Sequence, residues 1–422
     1  MGQVGMVEAG INNILLIGAG QAAIQLAHSL RMKGFEGAIT LIGEEAYPPY
    51  QRPPLSKAFL KGEMEEPRLY LKPESFYTDK KVALVTRTRA AAIDRAARVV
   101  TTSDGKMHGY DRLVIATGTR PRLLDELTGI RGVQVMRGID DAKALKARVG
   151  DLRHVTLLGG GYIGLEAAAV LAEAGIAVTV LERMPRLLSR VTGEAISDYF
   201  LSLHQSHGVD VRLNAEVERF VTADGHISGI VMKGGETFVT DLLMVGIGVL
   251  PNQELAADAG IACANGISVD EDCLTSDPAI YAIGDCAFRP LAGQEGRLRL
   301  ESVPNAIEMA EIAACHITGN PRPAYDAPWF WSDQYSTKIQ TAGLFTGHTS
   351  TVVRGTPESG KFAVFYFRDD AFIAVDAIND AQAFMLGKQV LKAGLPLTAA
   401  MVADEARPIP EILKTLKTVG AQ

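Results

Sequence analysis

Two glycine-rich segments have the residue types and the spacing that can hold the pyrophosphate of a dinucleotide. In such a motif the first glycine allows a tight turn, the second lets phosphates approach the backbone, and a small third residue allows close packing of helix and strand. The phosphates then accept hydrogen bonds from N–H groups at a helix N-terminus. The motif residues are Gly18, Gly20 and Ala23 in the first segment and Gly159, Gly161 and Gly164 in the second.

A glutamate follows each glycine segment at a distance that suits recognition of a ribose. Glu44 lies 26 residues after Gly18, and Glu182 lies 23 residues after Gly159. A carboxylate at this place accepts hydrogen bonds from ribose hydroxyls and repels a 2′-phosphate, so the second segment is expected to prefer NADH over NADPH. Arg183 is the counter-argument, because an arginine beside the ribose can bind the 2′-phosphate of NADPH.

These residues can act only if a strand precedes each glycine turn and a helix follows it. The apolar residues 14–17 precede the first segment, a helical pattern follows it, and a second strand is expected at 39–42. The same order returns around the second segment, with strands expected at 155–158 and 178–181. Each copy predicts a βαβ unit. Two glycine turns without a ligand are the structural alternative, but the strand, helix and terminal acid of each copy favour two dinucleotide sites.

The last hundred residues have a different pattern, which predicts a separate unit. The proline-containing stretch 320–323 marks the boundary before it. Residues 361–367 and 372–377 are typical of the two strands of an antiparallel hairpin, and residues 382–392 are typical of a helix. Further strands are expected at 113–116, 242–245 and 280–283.

The composition excludes several other classes of protein. With 42 basic and 49 acidic residues the net charge is −7, which is a poor basis for nucleic-acid binding. The four cysteines form no CxxC pair, so no metal ribbon or redox dithiol is expected, and reduced thiols suit the cytoplasm. His204 and His207 lack a third ligand nearby, so we interpret them as surface or packing residues and expect no metal. Residues 1–10 lack the pattern of a signal peptide, and the apolar window 155–181 contains charges and glycines that argue against a membrane span.

Five further short segments, taken in order with the two glycine motifs, resemble one enzyme family. They are residues 52–57 (RPPLSK), 116–118 (ATG), 282–286 (AIGDC), 301–306 (ESVPNA) and 328–334 (PWFWSDQ). Together they resemble the FAD-dependent NADH–ferredoxin reductases of oxygenase systems, the putidaredoxin reductase-like proteins, over roughly residues 12–415. Each motif alone is weak evidence, whereas the ordered set is specific.

The resemblance implies an α/β fold of the glutathione-reductase type, with two Rossmann-like domains and an α+β C-terminal domain. An FAD-binding domain is expected from residues 1–120 and 251–325, an NADH-binding domain from residues 121–250, and a C-terminal domain from residues 326–422. The first glycine segment would then bind FAD and the second NADH.

The resemblance also implies roles for single residues. Lys57 is expected beside N5 of the flavin with Glu166 as its ionic partner, because a cation there stabilises the reduced ring and a buried lysine needs a counter-charge. Trp331 is expected at the flavin edge that faces the electron acceptor. A surface lysine, a helix-face carboxylate and a core tryptophan are the structural alternatives. The remaining expected cofactor-binding residues are Gly18, Gly20, Ala22, Ala23, Glu44, Arg52, Ala90, Thr117, Gly118, Arg137, Asp285 and Val303, with Gly159, Gly161, Tyr162, Ile163, Gly164, Glu182 and Gly248.

The expected function is that of a cytoplasmic, monomeric oxidoreductase that passes electrons from NADH through FAD to a [2Fe–2S] ferredoxin, which serves an oxygenase. A basic patch would attract an acidic ferredoxin, and Arg297, Arg299, Lys338 and Lys388 are candidates for it. No cysteine precedes Cys263, so the disulfide reductases and single-cysteine peroxidases of this fold are excluded. A rubredoxin reductase, a cysteine-free NADH oxidase, a monodehydroascorbate reductase and a binding flavoprotein of the apoptosis-factor type remain as alternatives.

Overall fold

The structure is a computed structural model that describes residues 10–419, and these residues form two compact units. The first unit is made of the described part of Met1–Gln51, with Glu65–Arg120 and Val249–Ala324, and the second unit is made of Arg52–Met64, Pro121–Gly248 and the described part of Tyr325–Gln422. The three-domain division stays a prediction, because this division does not separate residues 121–250 from residues 326–422. Most of the segment on which the signal-peptide expectation rests, residues 1–9, lies outside the described residues, as does the end of the expected C-terminal domain, residues 420–422.

The regular elements within the described residues are short strands, eleven α-helices and several single turns of 3-10 helix. The strands are β1 Asn13–Ile17, β2 Ala38–Ile42, β3 Val82–Val85, β4 Ala90–Asp94, β5 Val99–Thr102, β6 Met107–Gly109, β7 Arg112–Ile115, β8 Thr119–Pro121, β9 Val133–Gln134, β10 His154–Leu158, β11 Ala177–Leu181, β12 Asp210–Arg212, β13 Val217–Ala223, β14 His226–Met232, β15 Thr237–Val239, β16 Leu242–Val245, β17 Val249–Pro251, β18 Cys263–Ala264, β19 Gly266–Ser268, β20 Ile280–Ala282, β21 Ala287–Pro290, β22 Arg297–Leu298, β23 Trp329–Gln334, β24 Thr337–Gly343, β25 Ser350–Thr356, β26 Lys361–Arg368 and β27 Ala371–Ile378. The helices are α1 Gln21–Met32, α2 Ala58–Lys61, α3 Glu74–Asp79, α4 Ile139–Arg148, α5 Tyr162–Glu173, α6 Glu194–Ser206, α7 Glu254–Asp258, α8 Val303–Ile317, α9 Ala381–Ala393, α10 Ala399–Ala403 and α11 Ile409–Val419.

The first unit is built on a parallel sheet of five strands in the order β20–β7–β1–β2–β3. Its central strand β1 is an unbroken apolar run with residues 14–17 buried, which is typical of a parallel strand covered on both faces. Helices α1 and α8 pack against each other, and their apolar side chains share one core with the sheet. The carboxyl end of β1 therefore runs from this core directly into the first glycine segment.

The second unit combines a parallel sheet with antiparallel ones. Strands β12–β11–β10–β16–β9 form the parallel sheet, and central β10 runs into the second glycine segment and α5. Strands β13–β14–β15 form a small antiparallel sheet. Strands β23–β24–β27–β26–β25 form an antiparallel sheet against which α9 packs, and β23 also packs against α5. A residue of β23 can therefore meet a residue of α5 despite their separation along the chain.

The structure confirms the predicted fold class and most of the predicted elements. Both glycine segments lie in βαβ units, and the C-terminal residues form the predicted hairpin of β26 and β27 followed by helix α9. The strand expected at 280–283 ends one residue earlier, because the chain enters a tight turn at Gly284–Cys286. Among residues 10–419 no helix is both long and apolar enough to cross a membrane.

Candidate functional site

The first glycine segment makes a sharp turn between β1 and α1. Gly18 has φ +109°, and a Cβ atom there would lie 2.2 Å from the carbonyl oxygen of Ala116, so only glycine fits. Gly20 precedes the helix, and no side-chain cap or first-turn acid occupies the N-terminus of α1. A Cβ atom on Gly20 would meet no described atom within 4 Å. Within the described residues the N-terminus of α1 is thus left without a side-chain cap, which fits a bound pyrophosphate.

Two further turns of the first unit lie next to this glycine turn. A Cβ atom on Gly284 would lie 3.0 Å from the Cβ of Ala22, so the turn that carries Asp285 is close to the first turn of α1. Thr117 follows β7 and donates a hydrogen bond from Oγ1 to the carbonyl oxygen of Asn252 at 2.6 Å. Both turns follow strands of the parallel sheet at their carboxyl ends, which is the side where open α/β sheets bind ligands. The first unit thus provides a cradle of suitable shape for a dinucleotide.

The other residues expected at the FAD site are spread over the first unit. Ala23 is buried in α1, where a small side chain allows close packing. Gly118 has φ +64°, and its carbonyl oxygen accepts a hydrogen bond from the N–H group of residue 252. Glu44 is exposed just after β2, Ala90 begins β4, and Val303 begins α8. Their roles toward FAD stay predictions.

The second glycine segment repeats the geometry of the first. Gly159 also has φ +109°, and a Cβ atom there would lie 2.5 Å from the carbonyl oxygen of Gly246. A Cβ atom on Gly164 would lie 3.0 Å from the carbonyl oxygen of Gly159, which explains why the third position must be small. Gly161 precedes α5 without a side-chain cap. Ile163 is 47% exposed at the start of α5, and its role toward a nucleotide stays a prediction.

Glu182 holds the second glycine turn in place. One oxygen of its carboxylate accepts a hydrogen bond from the N–H group of Gly160 at 2.6 Å, and the other accepts one from the N–H group of Met184 at 2.7 Å. The charged group is thereby fixed at the end of β11, beside the loop. Sequence reasoning expected only a contact with ribose and did not foresee this contact with the loop. Arg183, the residue after Glu182, is exposed. Gly248, the last residue expected at this cofactor site, accepts a hydrogen bond at its carbonyl oxygen from the N–H group of residue 122 at 2.9 Å.

The second unit also contains a buried ionic cluster around Glu166. The Lys57 ammonium lies 3.0 Å from Oε1 of Glu166, and the hydroxyl groups of Ser56 and Ser332 each donate to this carboxylate at 2.6 Å. Glu166 is 5% exposed and the Lys57 side chain is 17% exposed. Burial raises the pKa of Glu166, while Lys57 and the two serines oppose that rise. Asp333 lies 3.7 Å from the ammonium, so Lys57 has two acidic neighbours.

Sequence reasoning named Lys57 and Glu166 but missed the two serines. Each serine is adjacent in sequence to a residue that the resemblance singled out, since Ser56 precedes Lys57 and Ser332 follows Trp331. That adjacency is the only signal that the sequence offers. The hydrogen bonds themselves join residues that are 110 and 166 positions apart.

The remaining expected site residues of the second unit form two smaller groups. Trp331 is half-buried in β23, with its ring centre 5.5 Å from that of Trp329. The ring of Tyr162 packs against Phe330 of the same strand at 4.8 Å. The other group is a pair of arginines, in which the Arg52 side chain donates a hydrogen bond to the carbonyl oxygen of Arg137 at 2.7 Å. The roles of these residues toward a cofactor stay predictions.

The structure corrects one surface interpretation and decides between the two interpretations of His204. Arg299 was expected in a basic docking patch, but its side chain is only 8% exposed and pairs with Glu301. Of the two interpretations given for the histidines, packing holds for His204, because α6 turns it into the interior of the second unit toward β23. Its neighbour His207 is exposed and stacks on Tyr335. Within residues 10–419 no group of three histidine, cysteine or acidic side chains is arranged to hold a metal ion.

Comparisons with known proteins agree with this geometry. Residues 12–310 match the family described as pyridine nucleotide-disulphide oxidoreductase, and residues 329–413 match the reductase C-terminal family. Rhodocoxin reductase of Rhodococcus erythropolis is 40% identical over 93% of this chain and 92% of its own length. A rubredoxin-NAD(+) reductase of Pseudomonas putida is 38% identical over 87% of this chain and 95% of its own length.

A solved structure has the same fold over nearly the whole chain. The crystal structure of the covalent putidaredoxin reductase–putidaredoxin complex aligns with a TM-score of 0.94 at 37% identity, over 97% of this chain and 100% of that chain. The protein is therefore an oxidoreductase whose cofactors are FAD and NADH, as the sequence predicted. The chain belongs to the pyridine nucleotide-disulphide oxidoreductase family, in the group that contains rhodocoxin reductase and putidaredoxin reductase.

Proposed function

We propose that this protein passes electrons from NADH through FAD to a [2Fe–2S] ferredoxin that serves an oxygenase. The observation that carries the proposal is the presence of two dinucleotide cradles in a chain whose first cysteine is Cys263. Without a redox dithiol near the start of the chain, electrons must leave for an external acceptor. Bound FAD would supply the central chemistry, since it accepts a hydride from NADH and can deliver electrons singly.

The two cradles are assigned to different cofactors. We place FAD at the first glycine segment, with Asp285 and Thr117 in the adjoining turns and Glu44 toward the ribose. We place NADH at the second segment, where Glu182 stands at the strand end. The two N–H groups that bind Glu182 fix the position of its carboxylate, and a 2′-phosphate would meet that charge. This supports NADH over NADPH despite the exposed Arg183.

Lys57 and Glu166 are assigned to the control of the flavin. A lysine cation favours the extra negative charge of a reduced ring, and a buried glutamate holds that lysine in one place. The short contact between Lys57 and Glu166 supports this role. Trp331 is assigned to the side from which the acceptor approaches, where a half-buried aromatic residue suits an interface.

The proposed electron acceptor is a small acidic [2Fe–2S] ferredoxin. The reductase itself is proposed to be a monomer in the cytoplasm. The relative whose structure matches was solved as a complex with putidaredoxin. Lys338 and Lys388 lie on the C-terminal sheet and its helix, and Lys338 is the more exposed of the two. Lys388 is partly engaged, because it pairs with Asp326 and lies over the ring of Trp329. The four cysteines are free thiols, which suits a reducing compartment.

Stopped-flow absorbance of the purified yellow protein tests the proposal. We expect fast bleaching by NADH, followed by electron transfer to a [2Fe–2S] ferredoxin that is far faster than transfer to oxygen. Rubredoxin is measured in parallel, because a rubredoxin-NAD(+) reductase is also among the relatives. Faster transfer to rubredoxin would show that rubredoxin, and not a [2Fe–2S] ferredoxin, is the acceptor. Electrons going mainly to oxygen would favour the cysteine-free NADH oxidase instead.

A further inference from the structure

A chain of buried hydrogen bonds leads from α6 to the Glu166 carboxylate. Tyr335 Oη lies 3.3 Å from Nδ1 of His204, and Nε2 of His204 lies 2.8 Å from Oε1 of Gln334. Nε2 of Gln334 lies 3.4 Å from Oγ of Ser332, which donates to Glu166 at 2.6 Å. His204, Gln334 and Ser332 are all essentially inaccessible to solvent. These polar groups therefore bond to protein side chains and not to bulk solvent.

The chemistry of the carboxylate fixes the direction of every bond in this chain. An ionised glutamate can only accept, so Ser332 must give Glu166 its single hydroxyl proton. The group of Gln334 that faces Ser332 must then be the amide NH₂, and its carbonyl oxygen faces His204. Nε2 of His204 must donate to that oxygen, which leaves Nδ1 of the neutral ring as an acceptor for the Tyr335 hydroxyl. All four bonds point toward Glu166.

We propose that Ser332, Gln334 and His204 are positioning residues, which keep Glu166 ionised and directed at Lys57 through this one-way hydrogen-bond chain. The inference rests on the proposed role of Lys57 toward the flavin. It assigns a purpose to His204, which is not among the residues expected at either cofactor site.

The surroundings of Glu166 explain why such support is needed. The carboxylate contacts Lys57 and Ser56 from the segment before α2 and Ser332 from β23. Tyr162 of its own helix interacts with it electrostatically, and Asp333 of β23 lies 3.7 Å from the Lys57 ammonium. Burial favours its neutral form, in which it would lose the ionic attraction to Lys57. Each donor to the charged form acts against burial, and donors that are themselves polarised by further hydrogen bonds act more strongly.

The chain polarises Glu166 and does not conduct protons to it. The amide of Gln334 has no titratable proton to pass on, so it interrupts any proton relay. Burial lowers the pKa of His204 to about 4, so its ring stays neutral at physiological pH and donates through one nitrogen only. The chain is therefore a fixed dipole array directed at one carboxylate.

Three variants that remove a donor, and one that restores a donor, test this proposal in the holoenzyme, with the flavin midpoint potential measured from pH 5 to 9 as the readout. Ser332→Ala removes a donor to a charged acceptor, so we expect the bend in the potential-versus-pH curve that reports Glu166 to move up by roughly one pH unit. Gln334→Leu is expected to cause a smaller shift in the same direction, and His204→Phe the smallest. His204→Gln keeps a donor for Gln334, so its shift is expected to be smaller than that of His204→Phe.

Tyr199→Phe is the matched control. Its hydroxyl lies 3.1 Å from Oγ1 of Thr337, so the variant removes a hydrogen bond between the same helix and the same sheet without touching the chain. No shift is expected for it. Equal shifts in all variants, or a shift in this control as well, would show a general effect on packing and overturn the proposal.

Two measurements separate failure of this inference from failure of the proposed function. If Lys57→Met alters the potential while the three variants do not, the hydrogen-bond chain is wrong and the role of Lys57 stands. If Lys57→Met also has no effect, the role of Lys57 is wrong and this inference falls with it.

Selective ¹⁵N-histidine NMR of the unmodified holoenzyme is the second measurement and needs no destabilising variant. His204→Gln is used only to assign the signal. We expect a neutral His204 ring with its proton on Nε2, and the opposite tautomer or a charged ring would overturn the chain.

Discussion

At the residue scale, two ion pairs that join the region of α2 to α5 provide a matched comparison. Lys57 pairs with buried Glu166, whereas Lys61 pairs with Glu173 at 2.6 Å where both side chains are partly exposed. We expect Lys57→Met to slow flavin reduction by NADH by about tenfold or more, because a cation that stabilises developing charge is lost from a site shielded from water. Lys61→Met is expected to leave the rate unchanged, since exposed ion pairs contribute little.

The double variant Lys57→Met/Glu166→Gln separates this role from stability. Removing Lys57 alone leaves a buried charge without its partner, which is destabilising, and the second change removes that charge. We expect the double variant to regain thermal stability but not the rate of flavin reduction. Recovery of the rate together with stability would mean that the ion pair serves the fold alone.

A second prediction at the residue scale concerns Glu182. Glu182→Gln keeps an oxygen for the N–H group of Gly160 but removes the negative charge. We expect NADH to bind about tenfold more weakly and NADPH to be rejected less strongly, because hydrogen bonds to charged groups contribute about 1.5–3 kcal/mol. Titration of the reduced and oxidised nucleotides measures this, and flavin absorbance checks that FAD is retained. Loss of FAD from this variant would contradict our assignment of the two glycine segments.

At the element scale, the two glycine turns allow the cofactor sites to be separated. A Cβ atom on Gly18 would overlap the backbone after β7, and one on Gly159 would overlap the backbone after β16. We therefore expect Gly18→Ala to lose FAD, and Gly159→Ala to keep FAD but lose fast reduction by NADH. Flavin content and stopped-flow bleaching are the measurements, and Gly150→Ala, where a Cβ atom would meet no described atom within 4 Å, is the control. A colourless Gly159→Ala protein would contradict the separation.

The elements also show which parts of the fold a sequence can predict. Central strands such as β1 and β10 are continuous apolar runs before a glycine turn. The hairpin of β26 and β27 has a polar turn between two strands rich in β-forming residues, so local pattern was sufficient for both. Local pattern could not decide whether His204 is packed or at the surface, because its partner Gln334 lies 130 residues away on β23. The same holds for Ser56 and Ser332, which reach Glu166 because their segments pack against α5, the helix that carries Glu166. Local patterns predicted the cradles, whereas long-range contacts built the ionic cluster.

At the scale of the whole molecule, the second unit contains a buried carboxylate that no cation neutralises in the described structure. Asp376 on β27 accepts hydrogen bonds from the hydroxyl groups of Tyr366 and Thr192, and Thr192 lies just before α6. Tyr366 in turn accepts a hydrogen bond from the N–H group of Gly193 at 3.0 Å. The network joins the antiparallel sheet to the start of α6. Burial raises the pKa of Asp376 to about 6, and the hydrogen bonds to it oppose that rise only partly.

This carboxylate makes the stability of the protein depend on pH in a defined direction. Because its pKa is higher in the folded protein than in the unfolded chain, the folded protein binds the proton more tightly, and the contribution to stability is complete below about pH 4 and lost as the pH rises through about 6. Within that window the slope is about 1.4 kcal/mol per pH unit. We expect Asp376→Asn, which keeps an acceptor oxygen, to be more stable than the unmodified protein at pH 7.5 and to lose the slope between pH 4 and 6. Urea unfolding midpoints across this range measure the difference, with Asp370→Asn in the exposed turn between β26 and β27 as the control. A slope that survives in Asp376→Asn would assign the pH dependence to other groups.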